Sequence, residues 1–335
     1  MRILVLGGTA WLGHLVAATA LRDGHEVTCV ARGSKVPPGA RLVHADRDED
    51  DALAEVAGSR WDVVIDVARH PGHVRRAVRD LEPVADRYVL VSTLNVYASH
   101  EAVGADETAA LLPPLQADRM AEMLDYGPAK VACEQAVLDG FGPDRSVLAR
   151  AGLIGGPGDP TGRTDYWPWR FAHPAAPGKV LVPAAPDMVT SVIDVRDLAA
   201  WLVRCGEQSL SGAIDVMGPS LSFREHLEAA RQAAGSDAVA VAATESWLKD
   251  HDVNQWAGPR SMPLWLADPV WRGLNSRSTA RARAAGLTHR PPVETLRDGM
   301  RWRAEHAEDA DDRAGLSDAD ERELLDLLGE DAAPL

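Results

Sequence analysis

Two residues four apart, Tyr126 and Lys130, are the strongest candidates for chemistry in this chain. If the backbone is helical from Gly127 onward, both side chains fall on one helix face. A phenol beside an ammonium is a tunable acid/base pair, because the positive charge favours phenolate and pulls a tyrosine below its ordinary pKa of about 10. Pro128 suits the first turn, Val131, Ala132, Val137 and Leu138 supply a buried face, and Gly140 predicts the stop. Ser92 and Thr93 add two hydroxyls at the end of the apolar run 87–93. A further candidate is Gly7-Gly8-Thr9-Ala10-Trp11-Leu12-Gly13, which follows apolar residues 2–6 and precedes a helical pattern that stops at Gly24. Strand, glycine turn and helix is the context in which a helix N-terminus offers free amides to a pyrophosphate. The plainer alternative is a tight strand-to-helix turn of any α/β protein.

Placing these groups together requires a sheet. Residues 26–30 predict a second strand, ending at Arg32 with Lys35 nearby. An acid at this point holds the ribose 2′-hydroxyl of NAD, whereas an arginine accommodates the 2′-phosphate of NADP. Arg32 and Lys35 therefore favour NADP, with NAD or a merely solvated loop as alternatives. Strands are predicted over 41–47, 61–68, 87–93 and 145–150, and helices over 48–57 and 73–81. The fifth strand delivers Ser92 and Thr93 at its C-terminal end, where doubly wound sheets bind ligands. The alternation predicts an α/β fold, a Rossmann-type doubly wound parallel sheet with a smaller C-terminal substrate-binding region.

The expected organisation is a dinucleotide-binding domain over 1–150, with 188–205 returning to it as strand and helix. A substrate-binding region spans 151–187 and 206–303, and an acidic, peripheral tail covers 304–335. Within it a short amphipathic helix is predicted over 316–328. Eight of the ten tryptophans lie at or after Trp167, so a bulky pocket belongs to the second half, most of them core and one or two lining it.

Composition narrows the function classes. The 335 residues carry a formal net charge of −15. A chain this acidic is a poor match for a phosphate backbone, so no nucleic-acid partner is expected. No run approaches the roughly 18 apolar residues that span a membrane, and the N-terminus reads as a strand rather than a leader. Cys29, Cys133 and Cys205 are scattered without metal-ligand spacing, so no metal site and a reducing cytoplasm are expected. The expected partner is a small-molecule substrate, with a homodimer left open.

In order, the motifs resemble a known family. The glycine turn is followed by Asp46-Arg47 after the third strand and Asp66-Val67-Ala68 ending the fourth. Then come Val91-Ser92-Thr93-Leu94-Asn95-Val96-Tyr97, Tyr126 with Lys130, Arg150 with Gly156-Pro157-Gly158, and Val192-Ile193-Asp194-Val195-Arg196-Asp197-Leu198-Ala199. This resembles the short-chain dehydrogenase/reductase superfamily in its extended, NAD-dependent epimerase/dehydratase form, clearly over residues 1–235 and loosely beyond. The resemblance implies that Tyr126 is the general acid/base at the carbon exchanging hydride. Lys130 would hold the nicotinamide ribose and lower the Tyr126 pKa, and Thr93 would bond the same substrate oxygen, with Ser92 as neighbour. It places Gly7, Gly8, Thr9, Trp11, Leu12 and Gly13 around the pyrophosphate, Asp46 at the adenine, and Arg47, Val67 and Ala68 along the cofactor. Tyr97 has no lysine four residues on and is given a packing role.

Two residues depart from the pattern. Ala10 stands where the family usually has glycine, which suggests an atypical branch. Leu153 stands where its nucleotide-sugar enzymes usually carry asparagine. The leading expectation is an NADP-preferring oxidoreductase moving hydride between nicotinamide and a carbonyl or alcohol. A nucleotide-sugar epimerase or dehydratase with bound NAD is the alternative. A nucleotide-sensing or RNA-binding relative without turnover is the third reading, disfavoured by the intact Thr93, Tyr126 and Lys130 and by the acidic charge.

Overall fold

Ile3 and Val5 of the first strand bury into one apolar cluster while Leu4 and Leu6 bury into another. Side chains alternate across a strand, so burial on both sides marks the centre of a sheet covered by helices on each face. The computed structural model describes residues 1–306, 314–329 and 333–334. The first half runs β1 (Arg2–Leu6), α1 (Trp11–Arg22), β2 (Glu26–Ala31), β3 (Arg41–His44), α2 (Ala54–Ala57), β4 (Val63–Asp66), α3 (Pro71–Leu81), β5 (Tyr88–Thr93), α4 (Tyr126–Phe141) and β6 (Ser146–Ala151). The second half begins with β7 (Leu153–Gly155), α5 (Tyr166–Ala172), β8 (Lys179–Pro183), β9 (Val189–Asp194), α6 (Val195–Glu207), β10 (Gly212–Val216), β11 (Ser220–Ser222) and α7 (Phe223–Ala234). It ends with β12 (Val239–Ala243), α8 (Glu245–Asp250), β13 (Asn254–Trp256), β14 (Ser261–Pro263), α9 (Ala280–Ala284), α10 (Pro292–Glu305), α11 (Asp318–Leu328) and β15 (Ala333–Pro334).

The main sheet has seven strands in the order β10-β6-β5-β4-β1-β2-β3, and every pairing is parallel. Strand order reverses at β1, flanked by β2 and β4, and the crevice at such a switch point is where these sheets take ligands. Val16 and Ala20 of α1 share a core with Leu198 and Leu202 of α6 on one face, and Val74 of α3 shares one with Val137 of α4 on the other.

Three local expectations are corrected. The strand that returns to the main sheet is β10, paired with β6, and not 188–193. The latter segment, β9, pairs with β7 and β11 in a separate three-stranded sheet, so only α6 of the 188–205 stretch covers the main sheet. The helix expected over 48–57 shrinks to α2, because the Asp48 amide donates to Asp46 Oδ1 in a turn and the Asp48 carboxylate is taken by His73 and Arg119. Helix α4 runs through Gly140 and ends at Gly142, whose φ of 72° suits a glycine stop.

The second half builds its own core. Trp167, Phe171, Phe223, Leu227, Trp265 and Leu296 pack together, with Leu316 and Leu324 completing the cluster. A peripheral tail is thus contradicted for the described part of 304–335. Leu324 and Glu321 of α11 are fully buried. Arg170 of α5 pairs with Glu321 at 2.9 Å and Asp318 at 2.6 Å and donates to the Leu316 carbonyl. Residues 307–313, which include four of the tail's acids, lie outside the described residues. No helix among the described residues is long and apolar enough to cross a membrane.

Candidate active site

Helix α4 begins at Tyr126, one residue before the expected start, and its first turns carry both chemical groups. Lys130 is 1% exposed, and its ammonium donates to the Ala68 carbonyl at 2.6 Å and the Val91 carbonyl at 2.7 Å. An ammonium has three donors, so one has no partner among the described residues. Those two carbonyls come from the end of β5 and the segment after β4, so Lys130 ties the helix to the C-terminal edge of the sheet. Tyr126 is half-buried, and the Arg69 guanidinium lies 5.5 Å from the centre of its ring. Tyr126 and Thr93 line one cavity of about 470 Å³, with Leu94, Asn95, Leu153 and Arg163 among its other walls. Trp11, Trp256 and Trp271 supply its aromatic surface. Two of the eight late tryptophans therefore line the pocket, while Trp167, Trp201 and Trp265 are core.

Ser92 does not face this cavity. Its hydroxyl donates to Glu134 at 2.5 Å, and Glu134 takes Arg150 at 2.7 Å. Arg150 donates to the Tyr97 hydroxyl at 2.9 Å, and Tyr97 donates to Asp215 at 2.6 Å, which pairs with Arg277. Tyr97 is 2% exposed and absent from the cavity lining. Burial, with Asp215 beside it, drives its pKa upward, away from any acid/base role near neutrality. The network joins β5, α4, β6 and β10, and it fixes the strand end that presents Thr93.

A second cavity of about 460 Å³ opens at the β1 switch point. It is lined by Gly7, Thr9, Ala10, Arg32, Asp46, Arg47, Val67 and Ala68, and also by Arg69 and His70. Gly7 has φ of 93°, and a β-carbon there would lie 2.6 Å from Val67. At Gly13 a β-carbon would come 2.2 Å from the Gly7 carbonyl, so Gly13 lets α1 approach the turn while Gly7 makes room for the segment after β4. Ala10 is the N-cap of α1 with φ of −76°, a conformation open to alanine, so the departure from glycine costs no backbone strain.

The remaining cofactor candidates divide. Gly8 packs on Cys29 and Leu12 sits in the core, so both shape the turn from behind. Trp11 faces the Tyr126 cavity, its indole donating to the Pro157 carbonyl at 2.8 Å. Arg47 lines the groove, but its guanidinium is held bidentate by Asp66 at 2.7 and 2.9 Å. Burial opposes the Asp66 charge, and Arg47 more than offsets it, so the carboxyl stays below its usual range. Lys35 is not among the lining residues. Arg32 is, and it stands 3.8 Å from Asp46, which tertiary structure brings over from the end of β3. An acid is therefore present where sequence order alone showed none. Arg69, His70 and Arg163 were not singled out from sequence. Arg163 follows the Gly156-Pro157-Gly158 stretch, whose change of composition was the one available signal. Among the described residues no group of three or more His, Cys, Asp or Glu forms a metal-binding set.

Residues 3–214 match the model of the NAD dependent epimerase/dehydratase family. The chain is 26% identical over 329 residues to 3-diazoavenalumate denitrifying reductase of a Streptomyces species, a match covering 90% of this chain and 99% of that protein. It is 27% identical over 181 residues to dTDP-6-deoxy-L-talose 4-dehydrogenase (NAD(P)(+)) of Kitasatospora kifunensis, covering 48% of this chain and only 54% of that one. The solved UDP-glucose 4-epimerase of Thermus thermophilus, in complex with NAD, superposes with a TM-score of 0.64 at 20% identity, over 91% of this chain and all of that one. At that identity the likeness is one of fold.

Proposed function

The chain belongs to the NAD-dependent epimerase/dehydratase family, and from that premise we propose an NAD(P)-dependent oxidoreductase that moves hydride between nicotinamide and a carbonyl or alcohol. The observation that carries this reading is that Thr93 and Tyr126 share one cavity while Lys130, beneath them, bonds the Ala68 carbonyl that borders the other. The groove suits a dinucleotide. Ala10, the N-cap of α1, lines it, which sets the first turn of that helix at its edge, Gly7 leaves its wall without a side chain, and the third Lys130 donor has no partner among the described residues and suits a ribose hydroxyl. When bound, the cofactor supplies hydride to a substrate carbon or takes it up.

The protein's own part is to handle the proton and the oxygen. In the reductive direction the Tyr126 phenol gives its proton to the oxygen of the reacting carbonyl as the carbon gains hydride, and Thr93 holds that oxygen by a hydrogen bond. In the oxidative direction Tyr126 takes the proton back. Arg32 at the adenosine end supports a preference for NADP, with Asp46 beside it leaving NAD as the alternative.

A nucleotide-sugar substrate is the second reading, favoured by the match to the talose dehydrogenase. Against it, Leu153 presents an apolar side chain to the cavity. We further propose a cytoplasmic protein, in keeping with its three free buried cysteines, and, from its charge of −15, one without a nucleic-acid partner, and leave a homodimer to size-exclusion chromatography.

The test is the nicotinamide absorbance of the purified protein, followed by NADPH consumption with a panel of carbonyl compounds. An empty site that takes up NADPH and consumes it supports the oxidoreductase. Tightly retained NAD with interconversion of nucleotide sugars would replace that reading with the second one.

A further inference from the structure

Hydride transfer at Tyr126 has no evident use for Arg163, yet Arg163 lines the same cavity. The side chain is half-buried and makes no ion pair among the described residues. Its stem is fixed: Nε donates to Thr161 Oγ1 at 3.2 Å, and the guanidinium lies 5.0 Å from the centre of the Trp256 ring. Thr161 is itself held by Asp159, through its hydroxyl at 2.7 Å and its amide at 2.8 Å. Asp159 is 1% exposed and also accepts from Thr164. The two terminal nitrogens of Arg163 have no hydrogen-bond partner among the described residues.

Other deeply placed arginines are ion-paired. Arg47 has Asp66, Arg150 has Glu134 and Arg277 has Asp215. Burial lowers the Arg163 pKa, while Asp159 and Tyr126 act in the other direction. A guanidinium cannot shed its charge near neutral pH, and drawing a charge out of water without a partner is costly. An anion arriving in the cavity would remove that cost. Its two outward nitrogens form a fork that matches a carboxylate.

Arg163 is the one basic side chain among the described residues of this lining, and the one acid, Asp159, is 1% exposed with its oxygens taken by Thr161 and Thr164, so the Arg163 fork matches a single negative charge and not a diphosphate. The rest of the wall favours a flat apolar body, with Trp11, Trp256 and Trp271 offering aromatic faces. We propose that the substrate is an aromatic monocarboxylate, its ring among these tryptophans and its carboxylate on the Arg163 fork, presenting its far end to Tyr126 and Thr93. Which end reacts rests on the hydride-transfer reading; the Arg163 contact does not.

Binding tests this apart from turnover. The cofactor-loaded protein is titrated by tryptophan fluorescence with benzoate, phenylacetate and cinnamate, each beside its neutral amide. At least one acid should bind more tightly than its amide. Arg163→Gln should erase that preference, weakening the acid about 10- to 100-fold, the size of a charge-assisted pair, and leaving the amide unchanged. Arg163→Lys should restore part of it. Thermal melts and NADPH titration of both variants check that the fold and the groove are intact. Equal weakening of acid and amide would make Arg163 a packing residue over Trp256 and overturn the proposal, as would failure of every acid to bind. An Arg163-dependent acid preference in a protein for which no carbonyl or alcohol supports turnover of either nicotinamide cofactor would sustain the proposal and refute hydride transfer.

Discussion

Tyr126 lines the cavity with Thr93, Tyr97 follows Thr93 by four residues in the chain, and the structure gives the two tyrosines opposite work, so removing each hydroxyl should strike a different observable. In Tyr126→Phe the lost phenol lines the cavity and has no hydrogen-bond partner among the described residues. Its loss should cost little stability. A general acid/base group contributes about 10²–10⁴-fold in rate, equivalent to about 3–5 kcal/mol of barrier, and turnover should fall by that much while NADPH binding persists. Tyr97→Phe removes a 2.6 Å bond to Asp215 and a 2.9 Å bond from Arg150, both charged and both buried. Hydrogen bonds to charged groups are worth about 1.5–3 kcal/mol each. Because Asp215 keeps Arg277 and Arg150 keeps Glu134, the loss should lie near the lower end, about 2–4 kcal/mol. At about 1.5 °C per kcal/mol for a chain of this length, the melt should drop by about 3–6 °C with kcat close to unchanged. The assay pairs steady-state NADPH oxidation with differential scanning calorimetry on both variants. Near-normal turnover in Tyr126→Phe, or turnover abolished in a Tyr97→Phe protein that melts normally, would refute the assignment.

Lys130→Met removes two charge-assisted bonds to the Ala68 and Val91 carbonyls and should cost about 3–6 kcal/mol of stability besides weakening NADPH; a denaturant titration that matches the parent would refute this. Arg32→Ala should narrow any NADPH-over-NADH preference by about 10- to 100-fold, whereas Lys35→Ala, outside the groove, should change it little, as fluorescence titration with both cofactors will read. His226 is 3% exposed and burial pulls its pKa down to about 4, so below pH 6.5 the unfolded chain binds a proton that the folded protein refuses. Stability should therefore fall by about 3 kcal/mol between pH 6.5 and 4 on account of this group, and His226→Gln should flatten the profile by that amount; an unaltered pH dependence of the melt contradicts it. Removing residues 316–335 strips the partners of buried Arg170 and two buried leucines, for a loss on the order of 6–10 kcal/mol; a truncated protein that melts with the parent would restore the peripheral tail.

The doubly wound sheet was legible in the chain alone, because strands buried on both faces must be near-continuous apolar runs and the turns between them are marked by glycine. So was the placement of Tyr126 and Lys130 on one helix and of Thr93 at a strand end, since helix spacing and a strand end are local properties. What the sequence could not fix is anything decided by residues far apart in the chain. Gly212–Val216 joins the main sheet and Val189–Asp194 does not because of which neighbours each finds, β6 for one and β7 for the other, whereas order along the chain alone assigned the return to 188–205. The acidic tail looked soluble by composition, yet Glu321 is buried because Arg170, 151 positions earlier, pairs with it. Asp46 reaches Arg32, Ser92 turns to Glu134, and Arg163 meets Trp256 only once the chain is folded. A side chain's chemistry is set by its own type, but its partners, and so its charge and its direction, are set by packing across the whole molecule.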